Sequence, residues 1–330
     1  MSEKNIKVIA FKSYLDFIRE VLTNNDYSFI FNNCIFRGES TEKFTLLPTA
    51  LRKNVIAPWY SSSLNVAGGN ADNTNDYSQI MLELSILRRF YHLANKRGFS
   101  IPRCDFMMSS IEETVFQIFN DEIKTWYPNR NKHQCFEALI EVAALAQHYG
   151  LPTRLLDWTY DIYVALYFAA INATKKLINN ADSSNTDNMV IWGLNKKLFD
   201  TLNSIQASRT SLHFIVPQYF YNPNIHRQQG ILTYIEETIS LTPETMSIEA
   251  GKHIALDRYV SMFNDFPDNS FYRLPLYKFL IPCNQSRELL GYLHTIQKDT
   301  SLYFDGFEGV VKAINDEKLL QKKSYLQYDF

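Results

Sequence analysis

Apolar residues recur at helical intervals in several long windows of this chain and alternate or cluster in shorter ones, so helices and strands are both expected. From Lys7 the segment VIAFKSYLDFIREVL has helical spacing until Asn24-Asn25-Asp26 breaks it, which predicts an N-terminal helix within residues 1–25. In SFIFNNCIFRGES, the residues Cys34, Ile35 and Phe36 read as a short buried strand ending at Arg37-Gly38. Ile80, Leu84, Leu87, Phe90, Tyr91 and Ala94 share one helix face between Tyr77 and Arg97, and Val115, Phe116, Ile118 and Phe119 share another between Ile111 and Trp126. CFEALIEVAALAQHYG predicts a further helix with Gly150 at its C′ position, and Pro152 stops it from resuming. LPTRLLDWT is thereby forced out of helix where its β-formers suit a strand. DIYVALYFAAINATKK, apolar nearly all the way round, predicts a helix sandwiched in the interior.

The second half changes character. MVIWGL, LHFIVP, GILTYI and LPLYKFLIP read as strands separated by Asn, Pro and Gly, and NQSRELLGYLHTI and GFEGVVKAINDEKLL as closing helices. The polar, small-residue stretch within 54–78 predicts a surface loop insertion. With no internal repeat and no linker composition, the expected architecture is one α+β domain over residues 1–330. Its core spans 26–315, with a helical first half packed on a mainly antiparallel sheet and a tail over 316–330.

Composition narrows the class. At 46% hydrophobic and 21% charged, the chain can bury a large core, which excludes disorder and coiled coil. Its 14% aromatic content, with 23 Phe and 20 Tyr, predicts a heavily packed interior. A net charge of -2 gives no whole-chain attraction to nucleic acid or anionic lipid, leaving only the local clusters Arg88-Arg89 and Lys175-Lys176. The N-terminal residues lack a signal-peptide h-region, and the longest apolar run, Val164 to Ile171, is too short for a membrane span, so a cytoplasmic protein without a membrane partner is expected. Cys34, Cys104, Cys135 and Cys283 form no C-x-x-C pair, which suits a reducing compartment. The seven His residues show no metal spacing, so no metal is expected. Phosphate-loop, dinucleotide and nucleophile-elbow motifs are absent.

Three places carry candidate chemistry. Arg37 offers a fork of donors at a strand end, and Gly38 beside it would let a ligand approach the backbone. In the block from Gln147 to Thr159, strand alternation puts Thr153, Leu155, Asp157 and Thr159 on one face and Arg154, Leu156 and Trp158 on the other. Asp157 or Thr159 could cap the following helix, whose amides could instead hold an anion. His148, at a helix end, could be a base or could cap carbonyls. In His226-Arg227-Gln228-Gln229-Gly230, Gln229 could read an amide, a base edge or a sugar hydroxyl, with Glu236 and Glu237 downstream as carboxylates.

FRGES, LLPTALR, AQHYGLPTRLLDWT with VALYFA, RQQGILTY and LYFDGFEGVVKAI, in that order, resemble the motifs of the FRG domain family between Phe36 and about Ile314. More distantly, a strand ending in Arg-Gly, a Ser/Thr-bearing strand entering an apolar helix, and a polar strand with Gln or Glu resemble the arginine class of ADP-ribosyltransferases. That resemblance implies an ADP-ribosyltransferase-like core that binds NAD as substrate and cleaves its nicotinamide glycosidic bond. Its settings would be a bacterial toxin or a phage-defence effector, acting on an acceptor macromolecule the sequence does not identify. The implied catalytic residues are Arg37, His148, Asp157, Gln229 and Glu236. NAD would be held by Arg37, Gly38, Thr153, Arg154, Trp158, Thr159, Tyr163 and Arg227, with Tyr149 and Tyr167 as further aromatic walls. Gln229 stands where those enzymes carry Glu, and a neutral amide is no base, so transfer would need Glu236, Glu237, Asp157 or His148. The alternative is a non-catalytic nucleotide- or partner-binding module.

Overall fold

The computed structural model describes residues 5–24, 27–61, 76–108, 134–179, 187–204, 212–235, 254–262 and 274–320. The expected helix at 111–126, the middle of the 54–78 loop, Glu236, Glu237 and the end of the 316–330 tail lie outside them. The strands are β1 (Ile6–Ala10), β2 (Cys34–Glu39), β3 (Leu156–Thr159), β4 (Asn188–Asn195), β5 (Leu212–Ile215), β6 (Gly230–Ile235) and β7 (Leu276–Pro282). They form one sheet in the order β1-β7-β4-β2-β3-β6-β5. Every pairing is antiparallel except β1 with β7.

Two expectations are corrected here. Ile6–Ala10 is a strand, and the opening helix starts only at Tyr14 (α1, Tyr14–Phe17), where Ser13 accepts the Asp16 amide, and continues as a π-helical turn through Leu22. Over five residues rich in Ile and Val the helical and strand periods are hard to separate, and the ladder on β7 decided the matter. The strands expected in the first half, at Cys34–Phe36 and in LPTRLLDWT, are β2 and β3, and they lie near the centre of the sheet. The long connections between strands leave local pattern silent about strand order. The 54–78 loop is also shorter than expected, since α3 (Lys53–Ser61) and α4 (Asp76–Lys96) occupy its ends.

Alternation along the strands sorts side chains between the two faces. Phe36, Ile191, Tyr277 and Phe279 pack on one face with residues of α7 (Ile162–Asn179). Ile35, Val190, Trp192 and Leu276 pack on the other, with Phe199 and Val260. Beside the first core, α4 and α6 (Gln134–His148), with Cys104 and Met107 near and in α5 (Asp105–Met108), form a cluster that reaches Leu155 and Leu232. The helix expected to be sandwiched is α7, buried on most of its circumference and packed against β2 and β4. The chain closes with α11 (Ser286–Thr295), α12 (Thr300–Tyr303) and α13 (Gly306–Leu320), after α8 (Lys196–Ser204), α9 (Pro223–Arg227) and α10 (Leu256–Ser261). The short α2 (Ser28–Asn33) leads into β2. No helix among the described residues is long and apolar enough to cross a membrane. Cys34, Cys104 and Cys283 are buried and form no disulfide, and burial pushes the Cys283 thiol up to about 11.

Two glycines are required for different reasons. A Cβ on Gly38 would stand 1.8 Å from the main-chain oxygen of Ala165, so only glycine lets α7 lie this close to β2. Gly150 has φ of 90° in open space and reverses the chain after α6, where its amide meets the Gln147 carbonyl at 2.9 Å and the Leu151 amide meets the Ala146 carbonyl at 3.0 Å. The two sites predict a contrast measurable by thermal and urea unfolding. Gly150→Ala should cost about 1 kcal/mol through left-handed strain alone. Gly38→Ala should cost at least about 3 kcal/mol, because helix and strand backbones must part. Equal losses would refute the assignment.

Candidate functional site

Arg37 and Glu39 sit two residues apart on β2 and so face the same side. Arg37 Nε donates to Glu39 Oε1 at 2.8 Å and Nη2 lies 2.7 Å from the same oxygen. Its Nη1 donates to the main-chain oxygen of Asp157 at 2.8 Å and stands 3.8 Å from that residue's carboxylate. Burial opposes the Arg37 charge, but Glu39 and Asp157 outweigh it and raise the guanidinium pKa. Strand ends β2 and β3 are thus tied by a charge-assisted bridge of the stronger kind.

Beside this bridge opens a cavity of about 190 Å³, lined by Arg37, Thr49, Arg52, Gln147, Gly150 and Asp157 over an apolar base that includes Leu155 and Leu156. The helix stop at Gly150 and Pro152 creates it, since the chain must leave α6, pass the cavity and enter β3. Gln147, on the last turn of α6, donates from Nε2 to the Asp157 carboxylate at 2.6 Å and accepts the Thr153 hydroxyl. The Thr49 hydroxyl meets the Thr153 amide at 3.2 Å, and the Ala50 amide donates to the Thr153 carbonyl at 3.1 Å. Arg52 donates from Nε to the Leu47 carbonyl at 2.8 Å, and its guanidinium lies 5.8 Å from the Phe44 ring centre. Burial and the neighbouring Arg37 charge push the Arg52 pKa down, with Glu39 opposing. Behind the cavity, buried Glu83 of α4 takes Arg154 Nε at 2.8 and 3.0 Å, and Gln79 bonds both Glu83 and the Ala50 carbonyl.

The structure brings together only part of the expected site. Arg37 and Asp157 meet at the cavity, and buried Thr153 is linked to it through Gln147. Gly38 is covered by α7 instead of open to a ligand. Arg154 is spent on the Glu83 ion pair, at 5% exposure. Trp158 is core, its Nε1 donating to Thr233 at 2.9 Å, because strand alternation turns it into the second cluster. The Thr159 hydroxyl donates to the Gln228 carbonyl at 2.6 Å and accepts the Asp161 amide at 3.0 Å, so it braces the loop. The cap of α7 is neither Asp157 nor Thr159 but Asp161, whose Oδ1 takes the Tyr163 amide at 2.8 Å and whose Oδ2 takes Lys298 at 3.1 Å. Gln229 lies on an exposed positive-φ turn at the far end of β3 from Asp157. Arg227 pairs with Asp305 at 2.5 Å on the surface.

The expected aromatic walls disperse for similar reasons. Tyr149 is 69% exposed, Tyr163 lies under Lys298, and buried Tyr167 donates to Asp316 at 2.7 Å and meets Thr300 at 2.5 Å. His148 points to Asn224, with 3.3 Å between its Nε2 and the amide nitrogen, outside the cavity lining.

The FRG domain model matches residues 32–177. The chain carries an FRG domain. The match takes in β2, the Thr49–Arg52 turn, α6, β3 and nearly all of α7, and therefore every residue lining the cavity. It is narrower than the resemblance to Ile314, leaving RQQGILTY and LYFDGFEGVVKAI outside it. No curated protein and no solved structure matches the chain.

Within the FRG domain, sequence reasoning passed over Glu39, Thr49, Arg52 and Gln147 as site residues. All four lie in the quoted motifs FRGES, LLPTALR and AQHYG, and that was the available signal. Among the described residues no group of three or more His, Cys, Asp or Glu is placed to hold a metal.

His148 provides a pH test. Burial pushes its pKa below the ordinary 6.5, with Lys312 acting the same way and Glu308 and Asp157 opposing. A base with a depressed folded pKa binds protons better when unfolded, so its contribution is present above 6.5 and is lost as pH falls below it. Acidification from about pH 7 to about pH 5 should therefore destabilise the native protein more than His148→Gln in urea titrations. Parallel pH profiles would refute this environment.

Proposed function

We propose that the FRG domain binds a nucleotide of the NAD class in the Arg37–Asp157 cleft and that the protein cleaves the nicotinamide glycosidic bond, as the resemblance to ADP-ribosyltransferases suggests. The observation that supports this reading is the convergence of two guanidiniums, Arg37 and Arg52, with the Asp157 carboxylate around one cavity of about 190 Å³. The Arg52 guanidinium suits phosphate, Arg37 fixes the strand that carries Asp157, and a carboxylate suits the positive charge that develops on ribose. A cavity of that volume suits the nicotinamide-ribose end, with the rest of the dinucleotide lying along the surface.

In this mechanism the bond from ribose C1′ to the pyridinium nitrogen breaks, its electron pair leaves with nicotinamide, and the ribosyl centre becomes oxocarbenium-like. Asp157 is the suitable carboxylate, because Gln147 and Arg37 hold it at the cavity edge and it is 63% exposed. It stabilises the cation and takes the proton of the attacking water or acceptor hydroxyl as the new C1′–O bond forms. Gln229 plays no part in this scheme: it is an amide on an exposed turn away from the cavity. That same absence of Glu favours the second reading, a module that binds the nucleotide without turnover. The toxin or phage-defence setting and the acceptor follow from the resemblance alone.

Nicotinamide release by purified protein, with NAD affinity measured in parallel by calorimetry, tests the proposal. Asp157→Asn should lower release by at least about 100-fold while leaving NAD affinity unchanged. Release at the native rate from that variant would overturn the role of Asp157. Binding without release by the native protein would establish the second reading, and absence of both would overturn the nucleotide assignment.

A further inference from the structure

The two arginines of the cleft are in different electrostatic states. Arg37 has committed all three nitrogens, two to Glu39 and one to Asp157, so a phosphate could reach it only by displacing a carboxylate already 2.7 Å away. Arg52 has committed only Nε, to a neutral carbonyl. Among the described residues no carboxylate lies within ion-pair distance of Arg52, and its two Nη groups make no hydrogen bond. It is partly buried at the cavity wall, near a second positive charge. A guanidinium there keeps its fork of four N–H bonds available, the geometry that pairs with phosphate oxygens.

A second cation stands near Arg52, across a ring that is not part of the cavity lining. The Phe44 ring, 40% exposed, carries Arg52 at 5.8 Å and Lys176 of α7 at 4.6 Å from its centre. Lys176 Nζ donates to the Ser40 hydroxyl at 2.6 Å and likewise has no ion-pair partner among the described residues. Lys43, close by in sequence, differs in being neutralised by Asp187 at 2.9 Å. Arg52 and Lys176 thus both lie against one ring, each without an ion-pair partner among the described residues.

We propose that Arg52, supported by Lys176 across Phe44, is the anchor for the diphosphate of the ligand, and that Arg37 is the brace that holds the cleft's floor together. The naming of a nucleotide diphosphate rests on the function proposed above, while the anion site itself rests on the pairing of these side chains. An arriving phosphate supplies Arg52 with the counter-charge the fold withholds, and lying against Phe44 and Lys176 it leaves the Arg37–Glu39–Asp157 bridge intact.

The test uses the full chain, with inorganic pyrophosphate and NAD as separate probes in calorimetric titrations at low salt. Native protein should bind pyrophosphate, Arg52→Gln should weaken that binding at least tenfold, and Lys176→Gln should weaken it less. Lys43→Gln should leave it unchanged. Glu39→Gln, which keeps both arginines, should leave Arg52-dependent binding in place, so the proposal does not rest on an Arg37 variant that could fail to fold. No pyrophosphate binding by native protein, or native affinity in Arg52→Gln, would overturn it. Pyrophosphate binding through Arg52 without NAD binding or cleavage would support this site and overturn the NAD reading. NAD cleavage with an unchanged KM in Arg52→Gln would do the reverse.

Discussion

The contact between Gly38 and Ala165 governs the centre of the molecule. A helix backbone can lie directly on a strand only where no side chain intervenes, and at Gly38 even one methyl group would overlap a carbonyl oxygen. That approach seats α7 on β2 and β4, and it leaves Phe36 on the same face fully buried in the main core. Because β3 runs straight into α7, the position of the helix also determines where Asp157 and Thr159 stand relative to Arg37. The cleft is a consequence of this packing as much as of the residues that line it.

Polar groups then lock the segments that packing brings together. Arg37 ties β2 to β3, Gln147 ties the end of α6 to both Thr153 and Asp157, and the buried Glu83–Arg154 pair ties α4 to the entry of β3. A buried ion pair is weak evidence for net stability, but loss of one partner leaves an isolated charge at about 3–5 kcal/mol. Such pairs therefore specify one arrangement of the walls. A cavity whose functional groups come from β2, a turn, a helix end and a strand start needs that kind of definition.

The sequence and the structure agree where one physical effect dominates. The apolar circumference of α7, the stop at Gly150-Pro152 and the four later strands were all legible, because burial, backbone permissiveness and β-propensity act locally. They diverge where neighbours decide. Ile6–Ala10 has a pattern compatible with a helix turn, and its identity as a strand depends on the edge of β7, some 270 residues away in sequence. Trp158 and Arg154 look like ligand contacts in a motif dense with polar groups. Alternation sends the first into the core, and Glu83 claims the second.

Sequence by itself determined that the chain buries a large α+β core and that polar side chains crowd the Gln147–Thr159 block between a helix and the next strand. Those conclusions rest on periodicity, turn chemistry and motif order, all carried by neighbouring residues. Only tertiary structure decided that Glu39 pairs with Arg37, that Arg52 has no ion-pair partner among the described residues, and that Gln229 stands apart from both. Charge pairing depends on distances between segments, and residues well separated along the chain, such as Arg37 and Asp157, meet only once the sheet has placed their strands side by side.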